Sequence, residues 1–78
     1  MRFMNMRMSR SFRNLGTDED GYWACIGSPA DIRKVMKIVG WAGVMPLYSD
    51  LPVMREGRRY MLMVDPDDKF WTVSRKAA

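Results

Sequence analysis

The chain has 78 residues, of which 47% are hydrophobic and 28% charged, so it fits one small folded domain rather than a disordered segment. It has no histidine and a single cysteine, which excludes the commonest general base, an intramolecular disulfide and a zinc site built from thiolates. The net charge is +4, and no apolar run of 18 residues is present to cross a membrane.

The excess positive charge lies at the start of the chain. Residues 1–13 carry four arginines and no acid, whereas the rest of the chain carries nine bases and nine acids. These arginines are Arg2, Arg7, Arg10 and Arg13. Because a guanidinium group binds phosphates and carboxylates with two parallel hydrogen bonds, the segment indicates contact with an acidic partner. The alternative is a solvated strand face with no partner.

The first predicted element is a strand over residues 3–12. Met4, Met6, Met8 and Phe12 fall on one face and polar residues on the other, and a period of two is typical of a half-buried strand. Arg7 lies on its polar face. Arg10 interrupts the apolar face, so a bend or an end of the strand is expected near it. A polar loop over 14–21 leads to a second predicted strand over 22–26, which completes an antiparallel hairpin. Met1, Met4, Met6 and Met8 are four candidate translation starts, and no apolar signal core follows the basic N-terminus.

A helix is predicted over about 29–40. Ser28 is a preferred N-cap residue, Pro29 suits the first helical position, and Asp31 favours the positive helix end. The apolar stripe consists of Ile32, Val35, Met36 and Val39. Gly40 or Gly43 ends the helix. The basic residues off the stripe, Arg33, Lys34 and Lys37, form either a solvated face or an anion-binding one.

The C-terminal half predicts a second hairpin. Pro46 and Pro52 exclude a long central strand, so Val44-Met45 and Leu47-Tyr48 are at most a short edge strand. A turn at Glu56-Gly57 precedes strands over 59–64 and 70–74, and residues 76–78 are expected to fray. The acidic runs at 18–20 and 65–68 lack the spacing of a calcium loop, so they are interpreted as turns.

The resulting order is β-β-α-β-β, which predicts a single α+β domain over residues 1–78. One helix packs on one face of a four- or five-stranded, mostly antiparallel sheet. Both faces of the last hairpin are apolar, and one helix covers only one of them. Met61, Met63 and Phe70 are therefore left for water or a partner, unless the loop over 44–57 folds over them. With Arg2, Arg7 and Arg13 they are the predicted partner-binding residues.

Nothing in the sequence forms a catalytic motif. No histidine is available to activate a nucleophile, Cys25 lies inside an apolar strand, and the acids lie in turns. Gly40-Trp41-Ala42-Gly43 lacks the spacing and the lysine of a phosphate-binding loop. We therefore expect no enzyme activity, no cofactor and no metal.

The expected function is protein binding without catalysis. In size and architecture the chain resembles the small α+β inhibitors that phages encode against host machinery, anti-CRISPR proteins among them. That resemblance implies an inhibitor in the cytoplasm of a bacterial or phage-infected cell. Many such inhibitors are acidic mimics of nucleic acid, whereas the basic charge of this chain favours blocking a protein partner with an acidic or nucleic-acid-handling surface. We expect a monomer or homodimer and no membrane association. The alternative is a nucleic-acid-binding module that uses basic residues and aromatic rings on the sheet.

Overall fold

The computed structural model, which describes residues 7–47 and 52–75, contains a five-stranded sheet with one helix on one face. The elements are β1 (Arg13–Thr17), β2 (Trp23–Gly27), α1 (Pro29–Trp41), β3 (Met45–Pro46), β4 (Tyr60–Val64) and β5 (Phe70–Arg75). The strand order is β1-β2-β4-β5-β3, and only the β3–β5 pair is parallel. The predicted α+β class and the mostly antiparallel sheet are confirmed.

The first strand lies later in the chain than predicted. Residues 7–12 form no strand, and residues 1–6, with Arg2, lie outside the described part. Strand β1 instead uses residues of the predicted loop, because a bulge between Asn14 and Gly16 lets this polar stretch pair with β2. Gly16 has φ 71°, and its N–H donates to Asn14 Oδ1 at 2.9 Å. Glycine adopts this left-handed conformation without steric cost.

The helix begins where the sequence predicts. Ser28 Oγ accepts from the Asp31 N–H, and the Asp31 carboxylate accepts from the Ser28 N–H, which forms a capping box. Helix α1 ends at Trp41, one residue beyond the predicted end, and Gly43 follows with φ 89°. Its apolar stripe faces the sheet, with Val35 and its neighbours Ile32 and Val39 fully buried.

Alternate residues of the three central strands form the core under the helix. Cross-strand pairing places Cys25 beside Leu62 and Leu62 beside Val73. The buried side chains on this face are Trp23, Cys25, Tyr60, Leu62, Val64 and Trp71. The opposite face of the same strands, which we call the groove face, has no helix against it.

Two irregular segments also pack on the helix side. Met8 and Phe12 lie against the core, and Ser9 donates to Asp31 from both its backbone N–H and its hydroxyl. Met54 packs against the same core from the loop after β3. The Tyr60 hydroxyl accepts from the Arg55 N–H at 2.9 Å and therefore fixes this loop.

Candidate functional site

The groove face carries an apolar groove of about 320 Å³ beside the β4–β5 hairpin. Its described lining consists of Tyr22, Leu47, Met63, Asp65, Phe70 and Thr72. Residues from β4 and β5 form its floor, since Met63 pairs with Thr72 across the two strands. Leu47, which follows β3, forms one side, and its N–H donates to Trp71 O at 2.9 Å. The strand pairing therefore holds the groove in shape.

The structure brings two of the predicted partner-binding residues together. Met63 is half-buried and Phe70 is 41% exposed, and both line the groove. Met61 precedes Met63 by two residues on β4 and is half-buried on the same face. It pairs with Ile26 on β2 and with Ser74 on β5. These side chains alternate with buried ones, as the period-two pattern of β4 predicts.

The predicted arginines do not join this groove. Arg7 lies in the irregular segment rather than on a strand, and its carbonyl accepts from Lys34 Nζ. Arg13 begins β1, and its guanidinium donates to the carbonyls of Arg10 and Phe12 at 2.7 and 2.8 Å. Both residues are exposed, but the predicted alternating strand that was to display them is absent over 7–12.

The loop over 44–57 does not cover the groove face in its described portions. Leu47 forms a side of the groove and is itself 48% exposed. Residues 52–55 instead reach the helix side, where Met54 contacts the core. Among the described residues, the helix and the two irregular segments therefore all cover the same side of the sheet, the helix side.

The acids gather at one end of the sheet, which we call the acidic end. The β1–β2 loop and the β4–β5 turn both lie there, because Thr17, Trp23 and Val64 are neighbours in the strand register. Six of the eight described acids belong to these two connections: Asp18, Glu19, Asp20, Asp65, Asp67 and Asp68. The groove opens beside this end, with Asp65 at its rim.

Two of these acids close their own turns, as the sequence predicts. Asp18 Oδ1 accepts from the backbone N–H groups of Asp20 and Tyr22 at 2.9 and 3.0 Å. Asp65 Oδ1 accepts from Lys69 and Phe70 at 2.7 and 2.8 Å. The hydrogen bond from the Phe70 N–H is the main reason that the pKa of Asp65 lies below its ordinary value. The rim of the groove therefore keeps its negative charge well below neutral pH.

Arginines gather at the opposite end, which we call the arginine end. Arg13, Arg59 and Arg75 lie at strand ends there, since β4 begins where β5 finishes. Arg55 and Arg58 belong to the turn before β4. Sequence reasoning missed this polarity because it compared residues 1–13 with the rest of the chain. The signal was present: both acidic runs occupy connections that antiparallel pairing places at the same end.

The remaining reactive group is the thiol of Cys25. It is fully buried, and burial raises its pKa to about 12. A neutral, enclosed thiol is a poor nucleophile. Within residues 7–47 and 52–75, no three acidic, cysteine or histidine side chains are grouped to hold a metal ion. The described part also contains no helix that is long and apolar enough to span a membrane.

Comparison of the chain with protein-family models, curated proteins and solved structures found no match. The groove, the two charged ends and the exposed apolar residues are therefore the features of the molecule that bear on its function.

Proposed function

We propose that this protein is a small, non-enzymatic module that binds a protein partner through its groove face. The observation that carries the proposal is that the only described helix covers one face, whereas the opposite face presents an apolar groove. Methionine and aromatic side chains are enriched at protein interfaces, and Met63 and Phe70 are of this kind.

The charge around the groove favours one kind of partner surface. Asp65 lies at the rim, and the other acids of the two connections surround the same end of the sheet. A partner that inserts an apolar side chain and surrounds it with basic residues would complement both features. Proteins that handle nucleic acids carry such basic surfaces. A phage-encoded inhibitor acting in a bacterial cytoplasm would occupy such a surface on host machinery.

The alternative function, nucleic-acid binding on the sheet, requires aromatic rings and basic residues on one surface. The rings of Trp23, Tyr60 and Trp71 are buried under the helix. The exposed rings of Tyr22 and Phe70 lie in the groove with Asp65, whose charge repels phosphates. The groove face is therefore better suited to a protein than to stacked bases.

The test is capture from a nuclease-treated bacterial lysate with matched surface variants. The groove variant is Met63→Ala/Phe70→Ala, and the control is Trp41→Ala, which removes an 80% exposed aromatic ring at the helix end. If each groove side chain contributes about 1 kcal/mol, the double variant binds its partner about 30-fold more weakly. The control retains wild-type affinity.

The salt response gives a second readout for the same complex. Burial of apolar surface is not screened by salt, so raising the salt concentration should change the affinity much less than the groove variant does. Retention of the partner by the double variant, or equal loss with Trp41→Ala, would show that the groove is not the binding surface. Circular dichroism of each variant establishes beforehand that it is folded.

A further inference from the structure

We propose that a cleft at the arginine end binds the phosphate groups of a nucleic-acid strand. The cleft has a volume of about 170 Å³, and its described lining is Pro52, Val53, Arg55, Arg58, Tyr60 and Arg75. It lies on the helix side of β4 and β5, so it is separate from the groove. The inference concerns a second surface and goes beyond the proposed protein-binding function.

The fold builds this cleft from two parts that are far apart in sequence. Tyr60 is buried on β4, and its cross-strand neighbour on β5 is Arg75. The Tyr60 hydroxyl accepts from the Arg55 N–H, which holds the loop against the sheet. A turn closed by the Arg58 N–H and the Arg55 carbonyl at 3.3 Å then brings Arg58 to the same opening. Three arginines thus line one open cleft.

Within residues 7–47 and 52–75, the guanidinium groups of Arg55, Arg58 and Arg75 make no ion pair and no side-chain hydrogen bond. Six of the eight described acids lie at the other end of a molecule about 31 Å in its longest dimension. At physiological salt, charges separated by more than about 8 Å are largely screened from one another, so those six do not neutralise the cleft. The other two are Asp31, which accepts hydrogen bonds from Ser9 and Ser28, and Glu56, whose single charge in the Arg55–Arg58 turn is outnumbered by the three arginines.

The charge and shape of the cleft favour phosphates over a single carboxylate. Even with Glu56 in the adjoining turn, the three arginines carry more charge than one carboxylate neutralises, whereas a nucleic-acid strand supplies a negative charge at each nucleotide. Guanidinium groups bind phosphate oxygens with two parallel hydrogen bonds. Pro52 and the exposed side chain of Val53 provide an apolar wall for a sugar or a base.

The experiment measures fluorescence anisotropy of a labelled oligothymidine of about 12 nucleotides across a salt series. The cleft variant is Arg58→Gln/Arg75→Gln, and Lys37→Gln/Lys69→Gln is a control with the same charge change at exposed positions outside the cleft. Each phosphate contact on a single strand contributes a salt slope of about −0.7, or about five-fold in affinity at 0.1 M salt. The cleft variant should therefore bind about 25-fold more weakly, with a slope reduced by about 1.4.

The control variant should stay within about two-fold of the wild type, because its charges are screened from the cleft. A second cleft variant, Arg55→Gln/Arg58→Gln, leaves β5 unchanged and should weaken binding by about the same factor as Arg58→Gln/Arg75→Gln. Circular dichroism checks beforehand that both variants are folded. Equal weakening by the control would assign the binding to net charge and overturn the proposal. Equal competition by polyglutamate of matched charge would also overturn it, in favour of an acidic protein ligand.

Discussion

Replacing Asp31 with Asn tests the most connected polar group described in the fold. The carboxylate is 1% exposed and accepts from the N–H and hydroxyl of Ser9 and from the N–H and hydroxyl of Ser28. It therefore joins the N-terminal segment to the start of helix α1. Asparagine has nearly the same shape, but it offers one oxygen and one NH₂ where four donors converge.

The magnitude follows from the lost acceptor. One of the two part-buried N–H groups, that of Ser9 or that of Ser28, is left facing an amide donor, which costs about 1–3 kcal/mol, and the remaining hydrogen bonds lose the strength that the charge gave them. A total of about 3 kcal/mol is expected, against a stability of about 4–12 kcal/mol for a chain of this length. The melting temperature should fall by about 12–24 °C. Ser28→Ala, which removes only the capping hydroxyl, should cost about 1 kcal/mol.

The assay is thermal and urea unfolding followed by circular dichroism at several pH values. Burial raises the pKa of Asp31, but the hydrogen bonds from Ser9 and Ser28 outweigh burial, so the pKa lies below the ordinary value of 3.8. A carboxyl group with a lowered folded-state pKa stabilises the fold above its unfolded-state pKa. That stabilisation is lost as the pH falls through the folded-state pKa. The wild type should therefore lose stability below about pH 4, and Asp31→Asn should lose less.

Asp65 keeps its own lowered pKa in the variant, so a smaller acid dependence should remain. A destabilisation of Asp31→Asn below about 0.5 kcal/mol would refute the reasoning, since losing a charge-assisted hydrogen bond to a buried carboxylate costs more than that. An unchanged pH dependence would refute it as well.

Three further outcomes follow from the packing. Val35→Asp should abolish cooperative thermal unfolding, because Val35 is fully buried, whereas Lys37→Asp on the exposed face should still unfold cooperatively. Gly27→Ala should lower the urea midpoint, since an added Cβ would lie 2.7 Å from Asp31 Cβ. As its control, Gly40→Ala should raise the free energy of unfolding by up to about 1 kcal/mol, because a Cβ there meets no other atom within 4 Å and alanine favours the helix. Cys25 should resist alkylation at pH 8 in the native protein and react rapidly in denaturant, as mass spectrometry would show, because burial raises its pKa to about 12.

The helix and the last hairpin were predictable because local chemistry and tertiary packing agree there. Ser28, Pro29 and Asp31 specify a helix start, and the apolar stripe after them is the one that the sheet buries. In the hairpin, residues 60–64 alternate in burial as they do in hydrophobicity. The short edge strand was also foreseeable, since Pro46 is tolerated in β3 at the sheet edge.

The first strand was not predictable from its period. Met8 and Phe12 are four residues apart, and a turn closed by the Phe12 N–H and the Ser9 carbonyl lets both contact the core without a strand. The contact between Ser9 and Asp31 spans 22 residues, so no local pattern reveals it. Strand β1 forms in a polar stretch because a bulge at Gly16 and pairing with β2 outweigh its weak intrinsic preference.

In the candidate sites, too, the residues placed by a local sequence pattern were predictable, and those brought together by strand pairing were not. Met63 and Phe70 could be placed on an uncovered face from alternation and helix count alone, and the structure adds Tyr22, Leu47 and Asp65 to the groove. The arginine cleft joins Arg58 with Arg75, which only the β4–β5 pairing brings together.

The separation of charge gives the two surfaces different physical behaviour. The groove lies beside the acidic end, where an apolar contact is surrounded by negative charge, and the cleft lies at the arginine end on the other side of the sheet. A polyanion is attracted to the cleft and repelled from the groove, whereas a basic apolar surface is attracted to the groove. The two proposed bindings are therefore compatible, because a nucleic-acid strand and a protein partner would approach from opposite ends and their charges would not compete for one site.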